Sequence, residues 1–545
     1  MTAVADADST DTESPMRYRH VWALPVVLAA VVRLAALATP VSRLDADEAA
    51  TGLMARDIAH GHWYVFFAGQ NYMGALEQYL QAPLVTLAPG SPYVLRLPEV
   101  GLGVAAVALI DVVGRLLFRR RSTALVAATA YAAGPAFTVL GSFRSLGAYG
   151  ASTVVGLLGL LCALTLSRSR GTGRALLFGA CCGLGLWLTP MSAFLLVPAA
   201  LWAAGTWRAA ERRGRLAGAA AAGAVLGAAP LLAWIAVYGQ VPVVTLHGDF
   251  PGPASRLWGL VTAALPEAIG LAWQGGASPL PRTVLTAASL LLAGVWARVA
   301  WGRRARLGRL LRLRGDRDPV DLICVAVPLA VVLYVASRFT WWTVEPRYLQ
   351  SAMPWAAWAF AAGLAGRTVR VRATAVALVA ACSWSTLAYG AATTASTWTR
   401  DLRTTAGWMR AHGVQNGYAD YRAAHTLTFV AGGGGDGVVV VPFGKSACRF
   451  PDQTARVDAA PHVAYVASDT YTHIVASAVR KSGARVEATL TTPTITAYVL
   501  AAPAPRPWQI GLASEPPECS HGLSMPAGVT SGSAARRPLE PGRGG

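Results

Sequence analysis

The chain has 545 residues, of which 54% are hydrophobic and only 14% charged, with a mean hydropathy of +0.42. Soluble domains carry charge on about a quarter of their residues, so the composition argues against a soluble enzyme, and recurrent apolar runs of about 18 residues or more predict a polytopic membrane protein. The net charge of +19 does not point to nucleic acid, because the arginines cluster in short loops between apolar runs, where they set membrane orientation.

In chain order, residues 1–20 read as a disordered, cytoplasmic N-terminus. Arg17 and Arg19 hold the start of the first apolar run, 21–39, inside. Ala36-Leu37-Ala38 resembles a signal-peptidase site, and cleavage there would still leave Asp45 outside. Further spans are expected near 94–117, 123–141, 148–167, 174–189, 191–206, 216–238, 283–301, 319–337, 348–365 and 373–392, about eleven in all. Arginine clusters at 119–121, 168–174, 208–215, 303–317 and 367–372 fall on one side, so the alternation satisfies the positive-inside rule. The membrane domain, 21–392, then has two large outer loops, 40–93 and 239–282.

Residues 393–502 read as an extracytoplasmic α/β domain in the cell envelope. A helix ends at the cap His412-Gly413, β-type runs follow at 437–443, 462–468 and 494–501, and a helix over 470–482 stops at Gly483. The Pro-, Gly- and Ser-rich tail, 503–545, is expected to be disordered. Five cysteines lie in apolar runs and act as small hydrophobes. Cys448 and Cys519 lie in the polar C-terminal part, where an oxidising compartment would allow them to pair. The abundance of Arg, Ala and Gly over Lys suggests a GC-rich bacterial coding bias.

The first outer loop opens with Asp45-Ala46-Asp47-Glu48, three carboxylates in four residues. One can serve as a helix N-cap and another as a first-turn acid of a surface helix over Ala49 to His60; that leaves a carboxylate over for a base or a cation. The loop continues through Gln70, Asn71, Tyr72 and Glu77, a mixture of rings, amides and carboxylate that suits sugars, or else an interfacial aromatic belt. Before the tenth span, Glu345-Pro346-Arg347-Tyr348 carries an outward arginine against the charge bias. Its partner is either a lipid phosphate or an internal acid. Arg144 is a second outward arginine, and His247 with Asp249 in the other outer loop is a candidate for acceptor or cation binding.

The order of these elements resembles the GT-C superfamily of membrane glycosyltransferases, in particular the branch with protein O-mannosyltransferases and aminoarabinose transferases. The matching elements are Asp47-Glu48 after the first span, a long first loop reaching Ala82-Pro83, Arg347-Tyr348-Leu349 with Pro354 behind it, and a soluble domain after the last span. The resemblance implies an inverting hexosyl- or pentosyltransferase that takes sugar from a polyprenyl phosphate at the outer face of the cytoplasmic membrane. It implies Asp47 as general base with Asp45 and Glu48 beside it, and Arg347 as the cation for the leaving phosphate. The acceptor, a glycan, protein or lipid, is left open. Members differ in metal use, so a divalent cation (Mg or Mn) on Asp45, Asp47 and Glu77 is also open. Aminoarabinose transferases carry Lys-Pro late in the first loop; this chain has Ala82-Pro83, so the donor sugar is unspecified.

Two other classes compete: a flippase or transporter of lipid-linked sugars, and a non-catalytic envelope assembly protein. A transporter would bury charges at mid-membrane and show inverted repeats. Here Asp111 and Arg115 read as interfacial, no paired halves are visible, and charge crowds the outer loops.

Overall fold

The structure, a computed structural model, describes residues 23–39, 43–169, 171–208, 210, 212–239, 251–273, 278–313, 317–337, 340, 342–393, 397–432, 437–517, 519 and 524–525. Helix α1 spans Ala23–Leu37 and α2 spans Ala46–Ala59. Three short strands follow, β1 Trp63–Tyr64, β2 Phe66–Phe67 and β3 Gln70–Gly74, then α3 Leu76–Val85 and the long α4 Pro92–Phe118.

Among the described residues five helices are long and apolar enough to cross a membrane: Pro92–Phe118, Tyr149–Leu166, Pro190–Arg208, Arg282–Gly302 and Val369–Ala392. A sixth arises if Arg213–Gly227 and Ala229–Tyr238, bent by 61°, count as one span. Pro230 at the start of the second piece lacks the N–H that a continuous helix needs. Three of the expected spans are apolar helices of fewer than 18 residues: α1, Thr172–Leu188 and Asp321–Ala336. Two more are broken. The 123–141 run divides at Gly134-Pro135 into Arg121–Ala133 and Ala136–Gly141. The 348–365 run begins as a 3-10 turn, Pro346–Ala352, before Met353–Gly363.

One buried arginine lies where hydropathy alone reads a plain apolar segment. Arg33 in α1 is 0% exposed, and its Nη1 donates to the carbonyls of Ala29 and Ala132. Those carbonyls lend the guanidinium partners that lipid cannot supply.

The C-terminal part holds a five-stranded mixed sheet of β4 Asn416–Ala419, β5 Val439–Pro442, β6 Ala464–Ser468, β7 Val486–Thr491 and β8 Ile495–Leu500. The order is β5-β4-β6-β8-β7; β4 pairs in parallel with β5 and β6, while β8 runs antiparallel to β6 and β7. Strands β4 and β7 lie in stretches too polar or too short for a pattern to single out. Helices Trp398–Ala411, Tyr421–Val430 and Thr472–Lys481 accompany the sheet. Gly413 and Gly483 terminate the first and last of them with positive φ, a conformation that Gly adopts freely. A ninth strand, β9 Ser524–Met525, pairs with β1.

One hydrophobic core joins the first loop to the sheet. Leu53 and Met54 of α2 share it with Leu427 and Phe429 of the helix Tyr421–Val430, and with Val440 and Val466 of the sheet. The two helices touch at Gly52, where a Cβ would fall 2.3 Å from the ring of Phe429. That close approach brings the start of α2 against the sheet unit.

Candidate functional site

The acidic cluster opens α2, and its three carboxylates have three different surroundings. Asp45 is the N-cap: its Oδ1 accepts from the Asp47 N–H at 2.8 Å, and Glu48 Oε2 accepts from the Asp45 N–H at 3.1 Å. This reciprocal capping satisfies orphan amides of the first turn. Burial and the neighbouring Asp47 push the Asp45 pKa up.

Glu48 turns inward. Arg96 of α4 donates to it from Nε at 2.7 Å and from Nη2 at 2.6 Å, and both side chains are 0% exposed. The Ser145 N–H adds a bond to Oε1 at 3.3 Å. With both oxygens engaged and no water access, Glu48 is a tie between α2, α4 and the 142–145 turn. This corrects its expected place beside the base.

Asp47 keeps partial access, its side chain 17% exposed. Oδ1 accepts from Tyr421 Oη at 2.5 Å and from Arg449 Nη1 at 2.9 Å, and Oδ2 lies 3.6 Å from Arg347 Nη1. Burial pushes its pKa up, but Arg449, Arg347 and the Tyr421 hydrogen bond outweigh that and hold it at about 2. Both arginines are held by rings as well: Arg347 lies over Trp342 and Tyr348, at 4.7 and 5.7 Å, and Arg449 over Phe67 and Tyr421, at 5.5 and 5.2 Å. Stacking of this kind orients a guanidinium without using up its donors.

Local sequence explains these placements. Glu345 caps the 3-10 turn that carries Arg347, accepting from the Arg347 N–H. Asp420 caps the helix that begins with Tyr421, and it also accepts from the Ser468 N–H and Oγ of β6, at 2.7 and 3.1 Å. Tyr421 is therefore positioned from the sheet. Arg449 ends the 3-10 turn Lys445–Arg449, and its neighbour Cys448 is disulfide-bonded to Cys519. Tyr72 of β3 lies within electrostatic reach of Asp47, Arg347, Arg449 and Tyr348, and its hydroxyl donates to Gln70 at 3.1 Å. His425, one turn after Tyr421, is buried; burial and Arg449 lower its pKa to about 3, which keeps it neutral.

The structure thus gathers Arg347, Tyr348, Glu345, Gln70 and Tyr72 around one carboxylate, Asp47, with Asn71 partly exposed on the same strand as Gln70 and Tyr72. Others lie apart. Glu77 is buried under the start of the helix Tyr149–Ser169, accepts from the Ala151 N–H at 2.7 Å, and neighbours Glu99; burial raises its pKa to about 7. It is 1% exposed and held by the peptide amides of that helix. Arg144 donates to the Arg43 carbonyl at 3.3 Å, on the Asp45 side. His247 and Asp249 lie outside the described residues. Among the described residues no three His, Cys, Asp or Glu side chains converge to hold a metal. The donor set at Asp47 does not suit a divalent cation, since two guanidinium groups occupy the positions that further carboxylates would need.

Tyr421, Arg449 and Arg96 escaped the sequence reading. Tyr421 and Arg449 lie more than 370 residues from Asp47. Their one sequence signal is weak: Asp420 before an aromatic helix start, and an arginine next to an extracytoplasmic-type cysteine.

No family model matches the chain, and no curated protein matches it. Among solved structures it is similar to ArnT from Cupriavidus metallidurans bound to undecaprenyl phosphate, with 15% identity and a TM-score of 0.48, over 88% of this chain and 98% of that one. It is also similar to the archaeal oligosaccharyltransferase AglB from Archaeoglobus fulgidus in complex with an inhibitory peptide and a dolichol-phosphate, with 13% identity and a TM-score of 0.44, over 83% of this chain and 70% of that one.

Proposed function

We propose that the chain is an integral-membrane glycosyltransferase that moves a sugar from a polyprenyl-phosphate donor to an acceptor hydroxyl, with inversion. The carrying observation is a single partly exposed carboxylate, Asp47, held between two ring-stacked guanidinium groups, one from the membrane domain and one from the C-terminal unit. A glycosyl phosphate needs a base for the incoming hydroxyl and a cation for the departing phosphate, and these groups meet both needs.

In the reaction the acceptor O–H gives its proton to Asp47 while its oxygen forms the new bond to the anomeric carbon. The bond from that carbon to the phosphate oxygen breaks, and its electron pair leaves with the polyprenyl phosphate. Arg347 and Arg449 take up the charge that develops there. The resting pair of arginines makes Asp47 a weak base, with a pKa of about 2. A donor phosphate competes for the same guanidinium groups, and as they turn to it the proton affinity of Asp47 rises toward the working pH. Tyr421 Oη donates to Asp47 as an acceptor hydroxyl must, so the acceptor displaces it on entry.

The outer face of the cytoplasmic membrane is the compartment this reading requires. It is supported by the disulfide Cys448–Cys519 beside the site, and by the arginine clusters at the far end of α4. On this reading residues 21–392 form the membrane domain and 393–502 the extracytoplasmic unit, which takes part in the site through Tyr421 and Arg449. The donor sugar and the acceptor class are to be found by assay. Purified protein in lipid would be offered a panel of polyprenyl-phosphate sugars, with Asp47→Asn alongside. Turnover of one donor by wild type and its loss in the variant are the expected result. Turnover that survives Asp47→Asn would remove the base, and no turnover of any donor by folded protein with membrane acceptors would overturn the reading.

A further inference from the structure

A second charged site lies at the other end of α4. Arg96 near its start holds Glu48, whereas Phe118 and Arg119 at its end border a cavity of about 530 Å³. At 1.5 Å per residue the two ends are about 35 Å apart, a bilayer's thickness. Four arginines, Arg119, Arg306, Arg309 and Arg317, line the cavity with two aspartates, Asp318 and Asp321. Four positive charges against two negative ones leave an excess of two.

The remaining contacts leave the excess uncompensated. Arg303, from just outside the cavity, bonds Asp321 at 2.6 Å, and Arg306 lies 3.7 Å from Asp318. The two pairs link the start of the helix Arg304–Leu311 to the start of the helix Asp321–Ala336 and engage both aspartates. Arg317 donates to the Trp202 carbonyl at 3.0 Å and to Thr206 Oγ1 at 3.1 Å, neutral partners that engage two of its N–H groups and leave its charge unmatched. Arg119 and Arg309 are exposed, and their guanidinium groups have no hydrogen bond or ion pair to a described residue.

The surroundings are those of a membrane interface. The helix Arg282–Gly302 buries only Leu285 and Ser289 against the protein, so the rest of its apolar surface meets lipid. It leads directly into Arg304–Leu311, which is short and amphipathic: Leu310 is buried while Arg304, Arg306 and Arg309 are exposed. Trp301 at the junction is 71% exposed beneath Arg304, as an interfacial tryptophan is. Leu117, Phe118 and Val320 also line the cavity and give it apolar surface. Exposed cations beside apolar side chains, at the level where a lipid-facing helix ends, fit a phosphate with acyl chains attached.

We propose that this cavity binds the phosphate headgroup of an anionic lipid in the leaflet at the arginine-rich end of the bundle. The headgroup phosphate lies between Arg119 and Arg309, with Arg306 and Arg317 behind, and the acyl chains follow Phe118 and the flank of Arg282–Gly302. The site is separate from Asp47 and stands whether or not the transferase reading holds.

The test compares the full-length protein in detergent, stripped of lipid, with its Arg119→Gln/Arg309→Gln variant. Bound mass and melting temperature are read with phosphatidylglycerol, with phosphatidylcholine of the same chains, and with inorganic phosphate. Phosphatidylglycerol should add mass and raise the melting temperature of wild type, phosphatidylcholine should do neither, and the variant should lose roughly fivefold in affinity per arginine. Equal binding of phosphatidylglycerol by both proteins, or equal binding of both lipids by wild type, would overturn the site. Stabilisation of wild type by inorganic phosphate equal to that by phosphatidylglycerol would overturn the lipid in favour of a soluble phosphate ligand. Without lipid the variant should melt like wild type. If the double variant misfolds, Arg309→Gln alone, on the exposed face of its helix, carries the same comparison.

Discussion

Asp47 and Glu48 are adjacent on one turn of α2, and both meet arginines, yet their settings differ in one respect that separates chemistry from construction. Glu48 and Arg96 are 0% exposed and joined by two short bonds within one layer of helices. Asp47 stays 17% exposed, and its arginines arrive on 3-10 turns from two distant parts of the chain. A dry, doubly bonded pair holds helices together and leaves no room for a substrate. A partly exposed pair can be exchanged for another anion. Arginine faces both carboxylates, one at Glu48 and two at Asp47, so access, not the presence of a cation, decides the role.

The largest effect that would break this contrast is catalytic. Asp47→Asn is expected to lower transfer by about 10²–10⁴-fold, measured with the donor found active for wild type, while costing less stability than loss of Glu48. Next, Glu48→Gln leaves the Arg96 guanidinium buried without its counter-charge and should destabilise the protein by about 3–5 kcal/mol, read as a lower melting temperature in detergent. If Glu48→Gln melted normally and lost only activity, the contrast would fail.

Smaller effects sharpen it. Arg449→Gln removes one charged hydrogen bond to the phosphate, worth about 1.5–3 kcal/mol, and should lower kcat/KM for the donor accordingly with the fold intact. The Asp47 carboxylate should also leave a mark on acid stability. Its folded pKa of about 2 lies below the ordinary 3.8, so the ionised form adds about 2 kcal/mol above pH 4. That contribution is lost as pH falls through about 2. Melting curves of wild type and Asp47→Asn should therefore differ near pH 5 and converge near pH 2, the difference being trimmed by Asp45, whose carboxyl no longer feels the Asp47 charge in the variant. The smallest effect is expected from Cys448→Ser, which frees the turn carrying Arg449 from Cys519. Donor turnover should fall several-fold in the same assay, with little change in the melting temperature of the membrane helices.

Much of this was legible in advance because hydropathy and charge are local properties. Five of the expected spans fall on helices long and apolar enough to cross a membrane, whereas the breaks at Gly134-Pro135 and Pro230 and the 3-10 start at Pro346 depend on how neighbouring helices receive a chain without an N–H. The acidic cluster was visible, and so was Arg347, because an arginine on the wrong side of the charge pattern stands out. Glu77 misled for the same reason in reverse: its type and spacing suit a site, but only packing could aim it at the Ala151 amide.

By itself the sequence determined a membrane-embedded helical protein with an acidic motif after its first apolar segment, because composition, run length and the order of charges need no partner to be read. Tertiary structure alone decided which of three neighbouring carboxylates stays available, for that depended on Arg96 closing over Glu48 and on Tyr421 and Arg449 arriving beside Asp47. Those partners are far away along the chain, and a contact between distant residues leaves no period or spacing in a single sequence. It forms only when a shared core, here the one joining α2 to the C-terminal sheet, brings the segments together.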